Sequence, residues 1–328
     1  MLIAGPNLTT DRVLSIDAIR PGEVLRFTDA HVAPGGKGVN VARAARALGI
    51  PAHVVVLAAG RTGRAVAELL DDEGLGATAI PMSGEVRAAV IIVEHGGRIT
   101  VLNEPGPEIS AAEWSRYAAA VTAAIRGSGH SDAGAKLLVC SGSVPPGAPP
   151  HAYAELVKAA HGASMSALVD ASGPVLEAAL AAGPDYVSPS LSEAEGVLYG
   201  RAGQEVEAGA PDARERSIEA ARGIAERGAR TALVTAGAAG VAAATREQSL
   251  WMAAPRVAAR NPIGAGDAFV ANFAGAVERE QSLEGALAAG VAAGAASAET
   301  PLPGRPDPSR VQELLPQLAV QRFWKTSG

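Results

Sequence analysis

A repeated alternation of short apolar segments with helical patterns constrains the fold of this chain more than any other feature. Between residues 137 and 244, apolar segments such as Leu137–Cys140 and Ala167–Asp170 are followed by turns and helical patterns. Strands that alternate with helices predict a parallel sheet covered by helices on both faces. We therefore expect a doubly wound α/β fold with a mostly parallel sheet, and a single domain over residues 1–328.

Two segments interrupt this alternation. Residues 12–34 have an extended, amphipathic pattern without a clear helix, and residues 86–103 predict a hairpin around His95-Gly96-Gly97. We expect both segments to form a small β layer outside the main sheet, which acts as a lid over the site. The layer also offers a surface for a homodimer, although its edge residues leave this undecided. A surface loop is expected over residues 200–215, which are rich in Gly and charge.

The densest chemical motif is Asn261-Pro262-Ile263-Gly264-Ala265-Gly266-Asp267. The apolar stretch Leu250–Ala259 before it predicts a strand, and the apolar spacing after it predicts a helix from about Gly264. Amides at the start of a helix form a ready anion site, and a carboxylate beside such a site suits a proton acceptor for an attacking hydroxyl. The alternative is that Asp267 only stabilises the first helical turn while the glycines only pack.

A second glycine-rich loop, Pro34-Gly35-Gly36-Lys37-Gly38-Val39-Asn40, opens another predicted helix that runs to Leu48. Lys37 and Asn40 fall in the first turn of this helix. The alternative is a plain loop with a solvated lysine. Two loops of this kind in one chain favour a binding function over coincidence.

Composition argues against several classes of partner. The formal net charge is −6 and no basic run occurs, which argues against nucleic acid. The least polar stretch, Ala286–Ala298, is too short to span a bilayer, and no leader pattern is present, so we expect a cytoplasmic protein without a membrane partner. Cys140 is the only cysteine and is expected to be a buried thiol, while the six scattered histidines form no metal-ligand pair.

Both glycine motifs resemble those of the ribokinase-like (PfkB-type) carbohydrate kinases. The branch that the chain resembles most holds 1-phosphofructokinase, tagatose-6-phosphate kinase and the minor bacterial 6-phosphofructokinase. The matching stretches are Gly35-Gly36-Lys37-Gly38-Val39-Asn40-Val41-Ala42-Arg43 and Gly264-Ala265-Gly266-Asp267, and the Asn-Pro-Ile lead-in is similar to that of tagatose-6-phosphate kinases. Supporting matches extend from Asp11 to Gly290-Val291-Ala292-Ala293-Gly294, so the resemblance covers nearly the whole chain.

The resemblance implies a role for each matching residue. Asp267 would be the base, and the amides of Gly264, Ala265 and Gly266 would hold the transferring phosphoryl group. The implied sugar contacts are Asp11, Gly36, Asn40, Ser141 and Ser143, and the implied cations near the sugar's phosphate are Arg26, Arg87 and, as a further candidate, Lys37. The implied nucleotide contacts are Ser190, Thr235, Gly237, Gly240, Gly264, Gly266 and Thr300, and Glu193 would order magnesium through water. The alternatives that Arg26 is an ordinary surface arginine and Thr235 a strand-end hydroxyl stay open.

Three positions depart from the family pattern. Ser188-Pro189-Ser190 replaces the usual Lys-Pro-Asn, which removes a charge and an amide near the phosphates and the metal. Asn261-Pro262 replaces the usual Asp-Thr, and Thr300 stands where the minor phosphofructokinase has an asparagine near adenine. These departures bear on nucleotide affinity and identity, but they leave the base and the anion site in place.

The resemblance therefore implies a kinase that uses ATP and Mg²⁺, with a monovalent cation such as K⁺ as a further candidate. Its substrate would be a phosphorylated ketohexose of the fructose 1-phosphate, fructose 6-phosphate or tagatose 6-phosphate class, phosphorylated on a hydroxymethyl group. One alternative is a kinase for an unphosphorylated sugar or nucleoside. Another is a poorly active regulatory protein that binds sugar phosphate or nucleotide.

Overall fold

Two β-sheets organise the chain, in a computed structural model that describes residues 1–27, 29–128, 135–200 and 210–324. The strands are β1 (Leu2–Ala4), β2 (Thr9–Ile16), β3 (Asp29–Gly35), β4 (His53–Ala59), β5 (Ala77–Met82), β6 (Arg87–Glu94), β7 (Ile99–Asn103), β8 (Leu137–Ser141), β9 (Ser166–Asp170), β10 (Tyr186–Val187), β11 (Thr231–Thr235), β12 (Gly240–Ala244), β13 (Gln248–Ala253) and β14 (Val320–Trp324). The helices are α1 (Lys37–Ala47), α2 (Gly60–Asp72), α3 (Ala111–Ser128), α4 (Ala152–Gly162), α5 (Gly173–Leu180), α6 (Leu191–Tyr199), α7 (Ala213–Glu226), α8 (Ala265–Glu278), α9 (Leu283–Ala298) and α10 (Pro308–Leu314), with 3₁₀ turns at Gly237–Ala239 and Leu315–Gln317.

The main sheet confirms the predicted, mostly parallel architecture. Its order is β14-β13-β12-β11-β10-β9-β8-β1-β4-β5. The strands from β11 to β5 are parallel to their neighbours, whereas β12, β13 and β14 add an antiparallel edge. Its central strands are apolar throughout, and residues 137–140 of β8 are fully buried, because helices cover both faces. Among the described residues, no helix is both long and apolar enough to cross a membrane.

A smaller sheet, of order β3-β2-β6-β7, lies outside the main one and includes the predicted hairpin of β6 and β7. Side chains alternate between its faces along each strand. Asp11 pairs in register with Ala89, and both line a cleft that faces the main sheet. The neighbouring row on the opposite face includes Val32 and Leu102, which are exposed.

Small residues allow α8 and α9 to pack closely, and this packing fixes the helix that carries Asp267. A Cβ atom added to Gly290 of α9 would lie 2.7 Å from the ring of Phe269 on α8. A Cβ atom on Gly294 would lie 3.1 Å from the carbonyl oxygen of Ala265, at the start of α8. Glycine at these two positions therefore brings the helices into contact along their length.

The structure also corrects parts of the sequence prediction. The predicted strand over Leu250–Ala259 ends at Ala253, since Pro255 cannot donate a ladder hydrogen bond. The edge strands β5 and β14 were not predicted, and β5 is largely exposed and contains a proline. Residues 201–209 of the predicted loop lie outside the described residues, as do Thr28 of the predicted lid and residues 325–328 of the predicted domain.

Candidate active site

A cleft of about 680 Å³ lies between the carboxyl ends of the main-sheet strands and the inner face of the small sheet. The carboxyl ends of parallel strands are where open α/β sheets place their ligands. Side chains and backbone at these ends contribute Gly5 after β1, Ser141 at the end of β8, Asp170 at the end of β9, Ser188 after β10 and Thr235 at the end of β11. The small sheet contributes Thr9, Asp11, Arg87, Ala89, Ile91, Val101 and Asn103.

The start of α8 forms one wall of the cleft, and its backbone requires glycine. Gly264 has a left-handed backbone with φ of 80°, and a Cβ atom there would lie 2.5 Å from the amide nitrogen of Gly304. Gly266 has no heavy atom within 4 Å of the place where its Cβ atom would be. The amide of Ala265 donates to the carbonyl oxygen of Pro262 at 3.1 Å, so the amides of Gly264 and Gly266, which line the cleft, are the ones that could meet a ligand at the positive end of the helix dipole.

Asn261, a substituted family position, holds this turn in place. Its side chain is buried, and its Oδ1 accepts a hydrogen bond of 3.0 Å from the amide of Ile263. Its Nδ2 donates to the carbonyl oxygen of Pro301 at 3.0 Å. An asparagine at this position therefore joins the turn before α8 to the segment that follows α9.

Asp267 is a buried carboxyl group in the first turn of α8, and its side chain lines the cleft. Burial is the main cause that raises the pKa of Asp267 to about 7, and the charge of Asp170 is the second. The ammonium of Lys37 and a 2.9 Å hydrogen bond from Asn40 Nδ2 to Asp267 Oδ2 act in the opposite direction on the pKa. A carboxylate with a pKa near neutrality is suited to accept a proton and release it again.

Lys37, whose side chain is 41% exposed, forms an ion pair with the buried carboxylate of Asp170 beside this carboxyl group. Lys37 Nζ donates to Asp170 Oδ1 at 3.1 Å and lies 3.7 Å from Glu193 Oε1. Ser141 Oγ donates to Asp170 Oδ2 at 3.1 Å. The negative charge of Asp170 raises the pKa of Lys37, while burial raises the pKa of Asp170 itself.

Asp170 is a functional candidate that the sequence analysis missed. It ends the strand β9, and it lies in the cleft with Lys37, Ser141 and Glu193. A usable signal was present, because a carboxylate at the end of an otherwise apolar parallel strand faces the ligand edge of such a sheet.

Asp11 lies on the inner face of the small sheet. The hydroxyl of Thr9 donates to its carboxylate, and burial raises the pKa of Asp11. A Cβ atom on Gly35 would lie 2.1 Å from Asp11 Oδ1, so a larger residue at position 35 would displace the carboxylate. The hydrogen bond from Thr9 and the space beside Gly35 therefore hold the Asp11 carboxylate in the cleft.

Arg87 and Ser143 mark another polar part of the cleft. The half-buried guanidinium of Arg87 has one weak contact, from Nη1 to the carbonyl oxygen of Glu104 at 3.4 Å. Its Nε atom is buried and has no hydrogen-bond partner among the described residues. Ser143 Oγ accepts a 2.8 Å hydrogen bond from Asn7 Nδ2. A buried donor without a partner is consistent with an anionic ligand at this position.

Ser190 and Glu193 form the N-terminal cap of α6. Glu193 donates its amide to Ser190 Oγ at 3.3 Å, and Ser190 donates its amide to Glu193 Oε2 at 2.8 Å. This reciprocal pair is a capping box, which leaves Glu193 Oε1 directed toward Lys37. The serine that replaces the family asparagine therefore keeps the glutamate in place.

The cleft brings most of the predicted site residues together and leaves five outside it. Those that line it are Asp11, Gly36, Lys37, Asn40, Arg87, Ser141, Ser143, Ser190, Glu193, Thr235, Gly264, Gly266 and Asp267. Those that do not line it are Arg26, Gly237, Gly240, Ala265 and Thr300.

The residues outside the cleft have other surroundings. Arg26 is exposed in the connection between β2 and β3. The hydroxyl of Thr300 contacts the carbonyl oxygens of Ser297 at 2.8 Å and Leu302 at 3.0 Å. A Cβ atom on Gly240 would lie 2.3 Å from the carbonyl oxygen of Met252, so strand packing explains that glycine.

The chain is related to a known family of enzymes. Residues 7–310 match the model of the pfkB family carbohydrate kinases. The 1-phosphofructokinase of Bacillus subtilis is 26% identical over 97% of this chain and 98% of its own length. The ATP-dependent 6-phosphofructokinase isozyme 2 of Mycobacterium tuberculosis is 30% identical over 90% of this chain and 83% of its own length.

Solved structures agree with this relationship. Phosphofructokinase-2 from Escherichia coli, in complex with potassium, has a TM-score of 0.84 and 26% identity over 97% of this chain and 98% of its own. A tetrameric inhibited form of that enzyme has a TM-score of 0.82 and 27% identity over 96% and 98% of the two chains. The chain belongs to the pfkB family of carbohydrate kinases, and it is an enzyme that phosphorylates a sugar hydroxyl.

Proposed function

We propose that this enzyme transfers the γ-phosphoryl group of ATP to a hydroxymethyl group of a phosphorylated ketohexose. The substrate class is that of fructose 1-phosphate, fructose 6-phosphate and tagatose 6-phosphate. The observation that supports the reaction is the position of Asp267, a buried carboxyl group with a pKa of about 7 in the first turn of a helix whose first glycines, Gly264 and Gly266, line the cleft. One helix start thus carries both a proton acceptor and an anion site.

The Asp267 carboxylate and the amides at the start of α8 have different roles in phosphoryl transfer. The Asp267 carboxylate orients the attacking hydroxyl and takes its proton. The amides of Gly264 and Gly266 stabilise the charge that develops on the moving phosphoryl group, whereas the amide of Ala265, which the resemblance also implied, is engaged by the carbonyl oxygen of Pro262. Phosphoryl transfer depends mainly on positioning and on charge stabilisation, so no covalent intermediate with the protein is required.

The opposite part of the cleft supports a phosphorylated substrate. Arg87 has a buried Nε atom without a described partner, and Ser143 and Asn103 also line the cleft. A guanidinium with free donors is well suited to a phosphate group. An unphosphorylated sugar would leave this donor unsatisfied, which is a cost in a buried site.

Mg²⁺ fits the carboxylates on the other side of the site. Asp170 and Glu193 both face the ammonium of Lys37, which already occupies the position between their carboxylates, so Glu193 would hold Mg²⁺ through water beside this ion pair. Proteins hold Mg²⁺ by one or two carboxylates plus substrate phosphates, and the described residues contain no larger cluster that could hold a metal. When bound, Mg²⁺ neutralises charge on the phosphates. The monovalent cation stays a prediction that rests on the potassium complex of the E. coli relative.

An ADP-release assay over a panel of acceptors tests this proposal. The panel holds fructose 1-phosphate, fructose 6-phosphate, tagatose 6-phosphate, fructose, ribose and adenosine, each with ATP and Mg²⁺. We expect kcat/KM for at least one ketohexose phosphate to exceed that of every unphosphorylated acceptor by tenfold or more. A preference for an unphosphorylated acceptor would support the alternative sugar or nucleoside kinase. Binding of sugar phosphate without ADP release would support the regulatory alternative, for which the substitutions at Ser188 and Ser190 are the only motivation.

We also propose that the small sheet is a lid within a single domain and that its outer face forms a homodimer. Val32 and Leu102 belong to one outward row of this sheet, and the side chain of Leu102 is 57% exposed. Apolar side chains exposed on a sheet face favour association. Light scattering should give a dimer mass for the wild type and a monomer mass for Leu102→Asp. The loop variant Val24→Asp is the control, and a dimer mass for Leu102→Asp would contradict this interface.

A further inference from the structure

A buried arginine lies directly behind the base and its asparagine. Arg43 follows Asn40 by one turn of α1, and both residues are 6% exposed. Arg43 Nη1 donates to Asn40 Oδ1 at 2.6 Å, and Asn40 Nδ2 donates to Asp267 Oδ2 at 2.9 Å. A continuous hydrogen-bonded chain therefore runs from the guanidinium to the catalytic carboxylate.

The chemistry of the guanidinium decides which way the amide of Asn40 points. Arginine has only donors, so the atom of Asn40 that faces it must be the carbonyl oxygen. The amide nitrogen of Asn40 is then forced to face Asp267. If the amide turned over, its oxygen would lie against a carboxylate oxygen, and two acceptors would meet in a buried place.

This orientation leaves one oxygen of Asp267 for the substrate. Asn40 occupies Oδ2 of the carboxylate, so Oδ1 is the atom that can accept the proton of the attacking hydroxyl. The hydrogen bond also fixes the carboxylate plane relative to the amides at the start of α8. Orientation of the base relative to the phosphoryl site is a large part of such a catalyst's effect.

The other nitrogen atoms of the Arg43 guanidinium also have hydrogen-bond partners. Its Nε donates to Glu73 Oε2 at 2.6 Å, and its Nη2 donates to Glu73 Oε1 at 3.3 Å and to the carbonyl oxygen of Pro34. Arg305 Nη2 also donates to Glu73 Oε1, at 3.1 Å. All three nitrogens of the Arg43 guanidinium are therefore engaged, which prevents it from turning away from Asn40.

We propose that Arg43 is a positioning residue, which fixes the amide of Asn40 so that it donates to Asp267 and directs the other carboxylate oxygen to the substrate hydroxyl. The inference rests on the proposed function of Asp267 as the base. Arg43 does not line the cleft; it is hydrogen-bonded to the cleft residue Asn40, and its charge also partly offsets the rise that burial causes in the pKa of Asp11.

A double-mutant comparison of kcat tests this route. Arg43→Met keeps an unbranched apolar side chain and removes every donor. The net strength of one hydrogen bond corresponds to about a 2- to 10-fold change in rate, so kcat of Arg43→Met should fall by about that factor. In an Asn40→Ala chain there is no amide to orient, and the same substitution should change kcat by less than about twofold. The KM for ATP should stay within about twofold throughout, because nothing near the nucleotide is altered.

Two further variants keep the comparison decisive. Arg46→Met is the matched control, because Arg46 is an exposed arginine one turn further along α1, and its kcat should equal that of the wild type. Arg43→Met combined with Glu73→Gln removes the negative charge that Arg305 alone would then balance and keeps an acceptor for Arg305, and it replaces Arg43→Met in both backgrounds if the single variant does not fold.

The outcomes separate this inference from the proposed function. An equal fall in kcat in the wild-type and Asn40→Ala backgrounds would mean that Arg43 acts independently of the Asn40 amide, for example through its charge near Asp11, and the inference would be wrong. Unchanged kcat in Arg43→Met would overturn it as well. A wild-type chain with no turnover on any acceptor would overturn the proposed function and this inference together, before any variant is compared.

Discussion

At the scale of single residues, the environment of Asp267 favours the protonated acid, whereas its proposed role requires the carboxylate. Burial and the charge of Asp170 raise the pKa of Asp267, and Lys37 and Asn40 limit the rise to about 7. A general base is most effective when its pKa lies near the working pH. The same balance predicts how the Asp267→Asn variant should behave.

Asp267→Asn should lose turnover and keep its fold. The substitution preserves shape and removes the proton acceptor, and general-base catalysis contributes typically about 10²- to 10⁴-fold to rate. We therefore expect kcat to fall by about that factor at pH 8, measured by ADP release with the preferred acceptor. Asp17→Asn, at an exposed acid of the small sheet, is the control. Retention of more than about a third of wild-type turnover would contradict the assignment of Asp267 as the base.

The thermal midpoint of the same variant should not fall at pH 8. An exposed carboxylate in a first helical turn stabilises a helix by about 0.3–1 kcal/mol, but Asp267 is buried and that value does not apply. Because the folded-state pKa of about 7 exceeds the unfolded value of about 3.9, the stability linked to this group is present at low pH and is lost as pH rises through 7. Asparagine does not ionise, so the variant does not lose this stability. The thermal midpoint of the variant minus that of the wild type should therefore rise between pH 5 and pH 8. A relative midpoint that falls over this range would contradict the direction of the pKa shift.

The pH dependence of wild-type activity follows from the same group. Below the Asp267 pKa of about 7 the carboxyl group is protonated and cannot accept the hydroxyl proton. We expect kcat/KM for the sugar phosphate to fall toward low pH with an apparent pKa near 7, and to level off above pH 8. Initial rates between pH 5.5 and 9 at fixed ionic strength measure this profile. A profile that stays flat down to pH 5.5 would mean that no group with this pKa governs the reaction.

Arg87 should act on the sugar phosphate and not on ATP. Its Nε atom is buried without a described partner, and its guanidinium lines the cleft on the small sheet. We expect Arg87→Ala to raise KM for the sugar phosphate by tenfold or more and to leave KM for ATP within about twofold, because charge-assisted bonds to phosphate are strong. Arg64→Ala is the control, since Arg64 is an exposed arginine of α2 that does not line the cleft. Equal changes in both KM values would remove Arg87 from the sugar-phosphate site.

At the scale of elements, the small sheet is the part expected to move. It lines the cleft with Asp11 on β2 and Arg87 on β6, while its outer row is exposed. Closure over the sugar would exclude water from the phosphoryl group and limit hydrolysis of ATP. Sugar binding should therefore slow amide hydrogen exchange in β2, β6 and β7. Peptides from β12 and β13, on the far edge of the main sheet, should exchange at an unchanged rate. Unchanged exchange in the small sheet at saturating sugar phosphate would contradict the lid.

The elements also show where sequence patterns succeed. The central strands could be predicted because a strand buried on both faces is apolar throughout, as residues 137–140 are. The edge strand β5 could not, since most of its side chains are exposed and no burial pattern marks it. The strand before the Asp267 motif was predicted to be too long. The apolar residues around Val257 resemble a strand in sequence, but the strand has already ended before Pro255.

At the scale of the whole molecule, the site joins residues that are far apart in sequence. The two glycine motifs could be found without a structure, because a glycine loop followed by a helix has a local signature. Arg43 was missed because its role depends on contacts with Asn40 and Glu73 and not on a local pattern, whereas Asp170 was missed although its place at the end of an apolar strand was a usable signal. Conversely, family position alone assigned Arg26 to the site, but the side chain is exposed and does not line the cleft.

The central claim is that the γ-phosphoryl group of ATP passes to the free hydroxymethyl group of a ketohexose phosphate. ³¹P NMR of the reaction mixture tests it most directly, with fructose 1-phosphate, fructose 6-phosphate and tagatose 6-phosphate supplied separately with ATP and Mg²⁺. The account predicts that at least one of them gives a sugar with two phosphomonoester signals of equal intensity, formed in step with ADP. Loss of the ATP γ signal to inorganic phosphate alone, or no transfer to any of the three, would contradict it.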